Sequence, residues 1–282
     1  MDRIFRSFLF VPGDRPERFG KACAAGADAV IVDLEDAVAP AAKDLARANL
    51  AAWLSPQHPA HQSAHQPTHR PVFVRINCAG SAWFRDDLAL CGHPGVAGIV
   101  LPKAEQVADL AALADAGAAA ILPLVESALG LWNAADLARA PRVRRLLFGA
   151  IDFSLDAGIE EGHEQLLYAR SQLVLVSRVA GIEAPVDGVT TALDDPAVVR
   201  ADTLRARALG FGGKLCIHPR QVGLVNEAFA PTAAELAWAG RVMAAAEASG
   251  GAAVALDGRM VDRPVILLAR RMFEEAARRR AP

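Results

Sequence analysis

Cysteine is scarce and scattered: Cys23, Cys78, Cys91 and Cys216 lie far apart and form no C-x-x-C pair. That spacing excludes a zinc ribbon or a disulfide framework and makes a reducing cytoplasm the expected compartment. Aromatic residues are also few, 6% against 53% hydrophobic overall, and alanine fills much of the difference. An all-β sandwich is disfavoured; small side chains suit helices packed closely on a sheet. Neither charge sign is in excess, with 30 Lys and Arg against 32 Asp and Glu, so no global field recruits nucleic acid or an anionic membrane. Nowhere does an apolar run reach the roughly 18 residues of a membrane span. The first apolar run is broken at Pro12 and Gly13, too short for a signal peptide.

What the chain does have is a rhythm. Eight short apolar runs recur: Ser7 to Val11, Ala29 to Leu34, Val72 to Ile76, Gly98 to Pro102, Ala120 to Val125, Arg145 to Ala150, Ile182 to Val186 and Lys214 to Ile217. Between them fall helical stretches, among them Ala41 to Leu54, Glu105 to Ala116, Leu131 to Ala138, Gln165 to Val179 and Pro196 to Leu209. Asp14 is placed to cap a further helix starting at Pro16. Strand and helix in alternation indicate βα units around a parallel sheet. Eight units in 282 residues point to a closed (β/α)8 TIM barrel, which needs about 250 residues. We assign residues 1–230 to the barrel and residues 231–282 to a C-terminal helical extension, with helices expected over Val222 to Phe229 and Thr232 to Ser249.

Two segments imitate binding motifs. His58, His61, His65 and His69 have helical metal-ligand spacing, but Pro56, Pro59 and Pro67 interrupt any helix, leaving a solvated loop as the expectation. Gly210, Gly212, Gly213 and Lys214 resemble a phosphate loop, yet no Ser or Thr follows the lysine and a strand comes next.

In barrels of this type the active site lies where the strands end. Those ends carry Asp33, Glu35 and Asp36 after the second strand, Arg75 and Asn77 after the third, Lys103 after the fourth, Glu126 after the fifth, Asp152 after the sixth and His218 after the eighth. Each alone could be a helix cap or a rim ion pair. Together they leave an acidic excess that a divalent cation would relieve, and Glu126 with Asp152 is the natural pair, since Mg2+ commonly takes one or two carboxylates. Arg75 offers a planar fork for a substrate carboxylate. Negative charge developing on an enolate would meet the cation and the backbone amides of Gly149 to Asp152. Arg15, Arg18 and Lys21 gather near a helix start, where a phosphate-bearing tail could bind.

The motifs carrying these residues are RSFLFVPGDRPERFGKA at Arg6 to Ala22, DAVIVDLEDAVAP at Asp28 to Pro40, VFVRIN at Val72 to Asn77, IVLPKAE at Ile99 to Glu105, PLVESALG at Pro123 to Gly130, FGAIDFSLDAGI at Phe148 to Ile159 and GKLCIHPRQV at Gly213 to Val222. In this order they resemble the citrate lyase β-subunit family, which includes malyl-CoA and citramalyl-CoA lyases, within the aldolase superfamily of barrel enzymes. The resemblance implies Mg2+ at Glu126 and Asp152, Arg75 on the substrate carboxylate, and Ile151 beside Asp152 in the substrate site. It implies acyl-CoA contacts from Phe10, Arg15, Lys21, Ile217 and His218, with Asp33, Glu35, Asp36 and Lys103 supporting the site from behind. LDGRMVDRP at Leu256 to Pro264 is similar to a C-terminal segment whose aspartate reaches a neighbouring subunit. Asp262 takes that place and becomes the expected acid/base, which implies a homo-oligomer, commonly a trimer. Two departures stand out: the histidine-rich loop is particular to this chain, and the long insertion after the sixth strand of some malyl-CoA lyases is absent.

The activity expected is cleavage of a 3-hydroxy-3-carboxyacyl-CoA to an acyl-CoA and a 2-oxo acid. Its rivals are a thioester hydrolase on the same substrates, a pyruvate aldolase that does not use CoA, and the β subunit of a citrate lyase complex.

Overall fold

In a computed structural model of the chain, residues 5–55, 70–160 and 162–280 are described. The four histidines of the 58–69 segment lie outside them. Eight parallel strands close into a barrel: β1 Ser7–Pro12, β2 Ala29–Asp33, β3 Val72–Arg75, β4 Gly98–Leu101, β5 Ile121–Val125, β6 Arg145–Phe148, β7 Glu183–Asp187 and β8 Gly213–Cys216, with β8 paired to β1. The expected TIM barrel is therefore what forms. Helices follow the strands: α1 Phe19–Ala24, α2 Lys43–Leu54, α3 Phe84–Asp87, α4 Val107–Asp115, α5 Ala128–Trp132, α6 Ala134–Arg139, α7 Ala150–Ala157, α8 Leu167–Ala180, α9 Pro196–Leu209 and α10 Pro219–Ala228.

The strands read as unbroken apolar runs because a barrel strand is buried on both faces. One face fills the barrel: Phe8, Ile31, Phe73, Val100, Leu122, Leu124, Leu147, Val186 and Leu215 form a single cluster. The other face meets the helices, where Leu9, Val30, Val32, Ile99 and Leu101 are also buried. At the N-terminal end of β6, Arg145 is buried, donating Nη1 to Phe5 O at 2.6 Å and Nε to Ala184 O. Burial pushes its guanidinium down to about 10.

Three local expectations change. The sixth strand ends at Phe148 rather than Ala150, and α7 begins at once, so Asp152 sits in a helix's first turn and not on a strand end. The helix expected over Leu131 to Ala138 is two helices broken at Asn133, whose Nδ2 donates to Glu105 O at 2.9 Å. Asp14 caps nothing: a 3-10 turn over Pro16–Arg18 starts from Arg15 without a side-chain cap.

The barrel unit spans Phe5–Asn226, and a second compact unit begins at Glu227. Within the second, α11 (Ala233–Ala248) starts with a capping box in which Glu235 N donates to Thr232 Oγ1 and Thr232 N to Glu235 Oε2. The C-terminal extension is not wholly helical. β9 (Val254–Leu256) and β10 (Arg259–Val261) form an antiparallel hairpin, turned at Asp257 (φ 51) and Gly258 (φ 73), before α12 (Arg263–Arg280). Ala239, Val242, Val261 and Ala269 are its buried core. No helix among the described residues is long and apolar enough to cross a membrane.

Candidate active site

Parallel register sets the first part of the site. Asp33 and Arg75, last residues of β2 and β3, are direct partners across the sheet. Arg75 donates Nε to Asp33 Oδ1 at 2.7 Å and Nη2 to Oδ2 at 2.6 Å. The same carboxylate accepts the N–H groups of Glu35 (2.9 Å) and Ala37 (3.0 Å), so Asp33, 1% exposed, is fully occupied. The fork proposed for a substrate carboxylate is thus half used by the protein. What remains is the Nη1 side, which lies 3.3 Å from Glu35 Oε2 as an ion pair without hydrogen-bond geometry. Burial opposes the charge on Arg75, but Asp33 and then Glu35 hold it firmly protonated. Its guanidinium also stacks 4.9 Å from the Phe10 ring. Asp36 stands at the exposed margin, 3.9 Å from Nη1.

Lys103 links this group to Glu126. It follows β4 with φ 48, a left-handed conformation that costs a side-chain-bearing residue of order 1 kcal/mol. In that pose its backbone N–H reaches Glu126 Oε1 at 2.8 Å while Nζ reaches Glu35 Oε1 at 2.8 Å. Burial raises Glu35, partly offset by Arg75 and Lys103.

Glu126 follows β5 and is 3% exposed. Burial, then the Glu35 and Asp152 carboxylates, raise it to about 8, against the Lys103 hydrogen bond and Arg75. Gly149 makes room for it: a Cβ there would fall 2.5 Å from Glu126 Oε2. The Gly149 N–H is given to Val125 O at 2.9 Å, so it is not an oxyanion donor as expected; the first-turn amides of α7, Ala150 to Asp152, are the ones without intrahelical partners. Among the described residues, Asp152 makes no hydrogen bond or ion pair, and no cluster of three His, Cys, Asp or Glu side chains could cage a metal. A buried carboxylate that resists ionisation, beside a second one with no protein partner, fits a hard divalent cation that keeps its remaining positions for water and substrate.

At the end of β8, Ile217 and His218 present their backbone N–H groups to Gln221 Oε1, at 2.9 and 3.3 Å. Gln221 Nε2 donates to Thr190 O at 2.8 Å and Ala192 O at 3.3 Å. This buried amide joins the loops after β7 and β8. It was not among the residues expected, although GKLCIHPRQV contains it. Gln221→Ala would leave buried carbonyls and amides unpaired and should lower unfolding free energy by about 2 kcal/mol in a denaturant titration. The side chains of Ile151 and Ile217, at 45% and 41% exposed, are open apolar surface.

Arg15, Arg18 and Lys21 are exposed around the 3-10 turn and α1; Arg15 and Arg18 pair only loosely with Asp14 (4.0 Å) and Glu17 (3.8 Å). Asp262 belongs to the second unit. There it precedes α12 and accepts the Val265 N–H at 3.4 Å in the manner of a helix cap. No ion pair joins it to Arg259 or Arg263 among the described residues.

Residues 6–219 match the HpcH/HpaI aldolase/citrate lyase family. The chain belongs to that family. Among its relatives is a citrate lyase subunit beta-like protein of Deinococcus radiodurans, 39% identical over 97% of this chain and 98% of the relative. A (3S)-malyl-CoA thioesterase of Cereibacter sphaeroides is 35% identical over 96% and 94% of the two chains. A crystal structure of CitE from Mycobacterium tuberculosis with magnesium, acetoacetate and coenzyme A superposes with a TM-score of 0.83 at 35% identity, covering 97% and 98%. The family is enzymatic, and its members include both lyase-type and thioesterase names.

Proposed function

We propose that this chain is a Mg2+-dependent carbon–carbon lyase that cleaves a 3-hydroxy-3-carboxyacyl-CoA, such as citramalyl-CoA or malyl-CoA, to an acyl-CoA and a 2-oxo acid. The observation that carries it is Arg75, held by Asp33 beside Glu126 and linked to it through Glu35 and Lys103. Glu126 and Asp152 would hold Mg2+, which when bound would supply positive charge to stabilise developing negative charge on the substrate oxygens. Arg75 fixes the substrate carboxylate from its Nη1 side, which here makes only an ion pair with Glu35. Phe10, Arg15, Lys21, Ile217 and His218 contact the CoA portion. Asp262, from a neighbouring subunit of a homo-oligomer, takes the hydroxyl proton; the electrons of the carbon–carbon bond pass to the acyl α-carbon, which is then protonated. The first-turn amides of α7 stabilise the negative charge that develops.

Thioester hydrolysis is the second reading, favoured by the thioesterase names among relatives. Incubation with (3S)-citramalyl-CoA or malyl-CoA and Mg2+ separates the two. Lyase action yields acetyl-CoA with pyruvate or glyoxylate in equal amounts, whereas free CoA with no 2-oxo acid identifies a hydrolase. Asp262→Asn in the same assay is expected to lower kcat by about 10²-fold; unaltered turnover would remove the trans-acting base.

A further inference from the structure

Leu215 and Val186 face the barrel interior. Their neighbours Lys214 and Asp187 therefore project from the other face of the sheet, toward the helices. That layer holds charge here: Lys214 is 2% and Asp187 3% exposed, and Arg170 of α8 donates Nε to Asp187 Oδ1 at 2.9 Å. A self-contained ion triad would bring Lys214 within hydrogen-bonding distance of Asp187. Instead Nζ stands 3.9 Å from Asp187 Oδ2 and, among the described residues, makes one hydrogen bond, to Gly188 O at 2.6 Å. Arg170 Nη1 is buried with no hydrogen-bond partner among the described residues.

Both cations line a cavity of about 250 Å³ to which α9 contributes Val198, Asp202 and Arg205. Thr190 and Asp202 form part of its wall, joined by a hydrogen bond of 2.7 Å, and Val198, 40% exposed, lines it as well. Arg205 and His163 complete the charged lining, against each other and 3.5 and 3.7 Å from Asp202. Arg170, Lys214 and Arg205 thus face Asp187 and Asp202, one positive charge more than negative.

We infer that this cavity binds a small oxyanion, a carboxylate or a phosphate group, through the unfilled donors of Lys214 and Arg170. A buried ammonium held by one carbonyl and a long ion pair is costly, and a bound anion offsets that cost. Burial lowers the Lys214 pKa, Asp187 only partly countering it, in keeping with a charge whose pairing is incomplete. This site does not depend on the lyase reading.

The test is calorimetric titration of the full-length protein without Mg2+, using sodium phosphate and, separately, sodium acetate at constant ionic strength. One equivalent of at least one anion should bind, equally well in Arg75→Ala and in the Arg15→Ala/Lys21→Ala double variant. Lys214→Met should weaken it about tenfold or more. Val198→Trp, which obstructs the cavity without touching the buried ions, should do the same and decides the matter if Lys214→Met does not fold. Phosphate binding alone identifies a phosphoryl ligand, and acetate alone a carboxylate. Absence of saturable binding by both anions, or binding lost with Arg75 and retained in Val198→Trp, overturns the site.

Discussion

Glu126→Gln is expected to abolish Mg2+-dependent turnover, lowering kcat by about 10³-fold or more, while leaving the metal-free protein as stable as before. The two halves come from one environment. Glu126 is buried among Glu35 and Asp152, so its negative charge is unfavourable unless a cation is present. An amide keeps the shape and still accepts the Lys103 N–H, now made at 2.8 Å to Oε1, and removes the repulsion. It also removes half of the carboxylate pair. In thermal unfolding of the wild type, Mg2+ at about 100 times its Kd should raise Tm by roughly 5 °C. Glu126→Gln should show no such rise. An equal Mg2+ shift in both proteins would mean that the cation binds elsewhere.

The barrel was legible because its strands are buried on both faces and so stand out as apolar runs, and α9 was found at its true bounds because Asp195, Pro196 and Gly210 mark both ends. Charged residues at the ends of strands were legible for the same reason: the charge begins where the apolar run stops, as at Asp33, Arg75 and Glu126. Asp152 was misplaced because α7 starts one residue after β6 with no side-chain cap at Gly149. Contacts made by backbone were hidden. Nothing in the letters Pro-Lys-Ala says that Lys103 turns left-handed to offer its amide to Glu126. Nor does the run GKLC show that its lysine faces away from the barrel interior toward Arg170 and Asp187. The β9–β10 turn did carry a signal, Asp257–Gly258, lost inside a stretch taken as helical. Gln221 was overlooked for a different reason: it binds four backbone groups and no ionisable one, so a search by charge passes over it.

Arg75→Lys should lower kcat/KM for a carboxylated acyl-CoA by about 10²-fold, although charge is conserved. A lysine has a single charged nitrogen. It can meet Asp33 or a substrate carboxylate, whereas the guanidinium spends Nε and one Nη2 proton on Asp33 and still has Nη1, ion-paired with Glu35 at 3.3 Å without a hydrogen bond, to turn to a substrate. The loss should be specific: affinity for acetyl-CoA, which lacks that carboxylate, is expected to stay within about twofold of the wild type. Arg75→Ala goes further. It strands Asp33, 1% exposed, opposite an empty space, and a buried charge deprived of its partner costs about 3–5 kcal/mol in unfolding free energy. Asp33→Asn in the Arg75→Ala background should recover most of that stability without restoring activity, because the amide removes the stranded charge and supplies no cation. Were the double variant no more stable than Arg75→Ala, the Asp33–Arg75 pair would not be what holds the guanidinium in place. Were citramalyl-CoA cleaved as well by Arg75→Lys as by the wild type, the substrate carboxylate would have to bind somewhere other than Arg75.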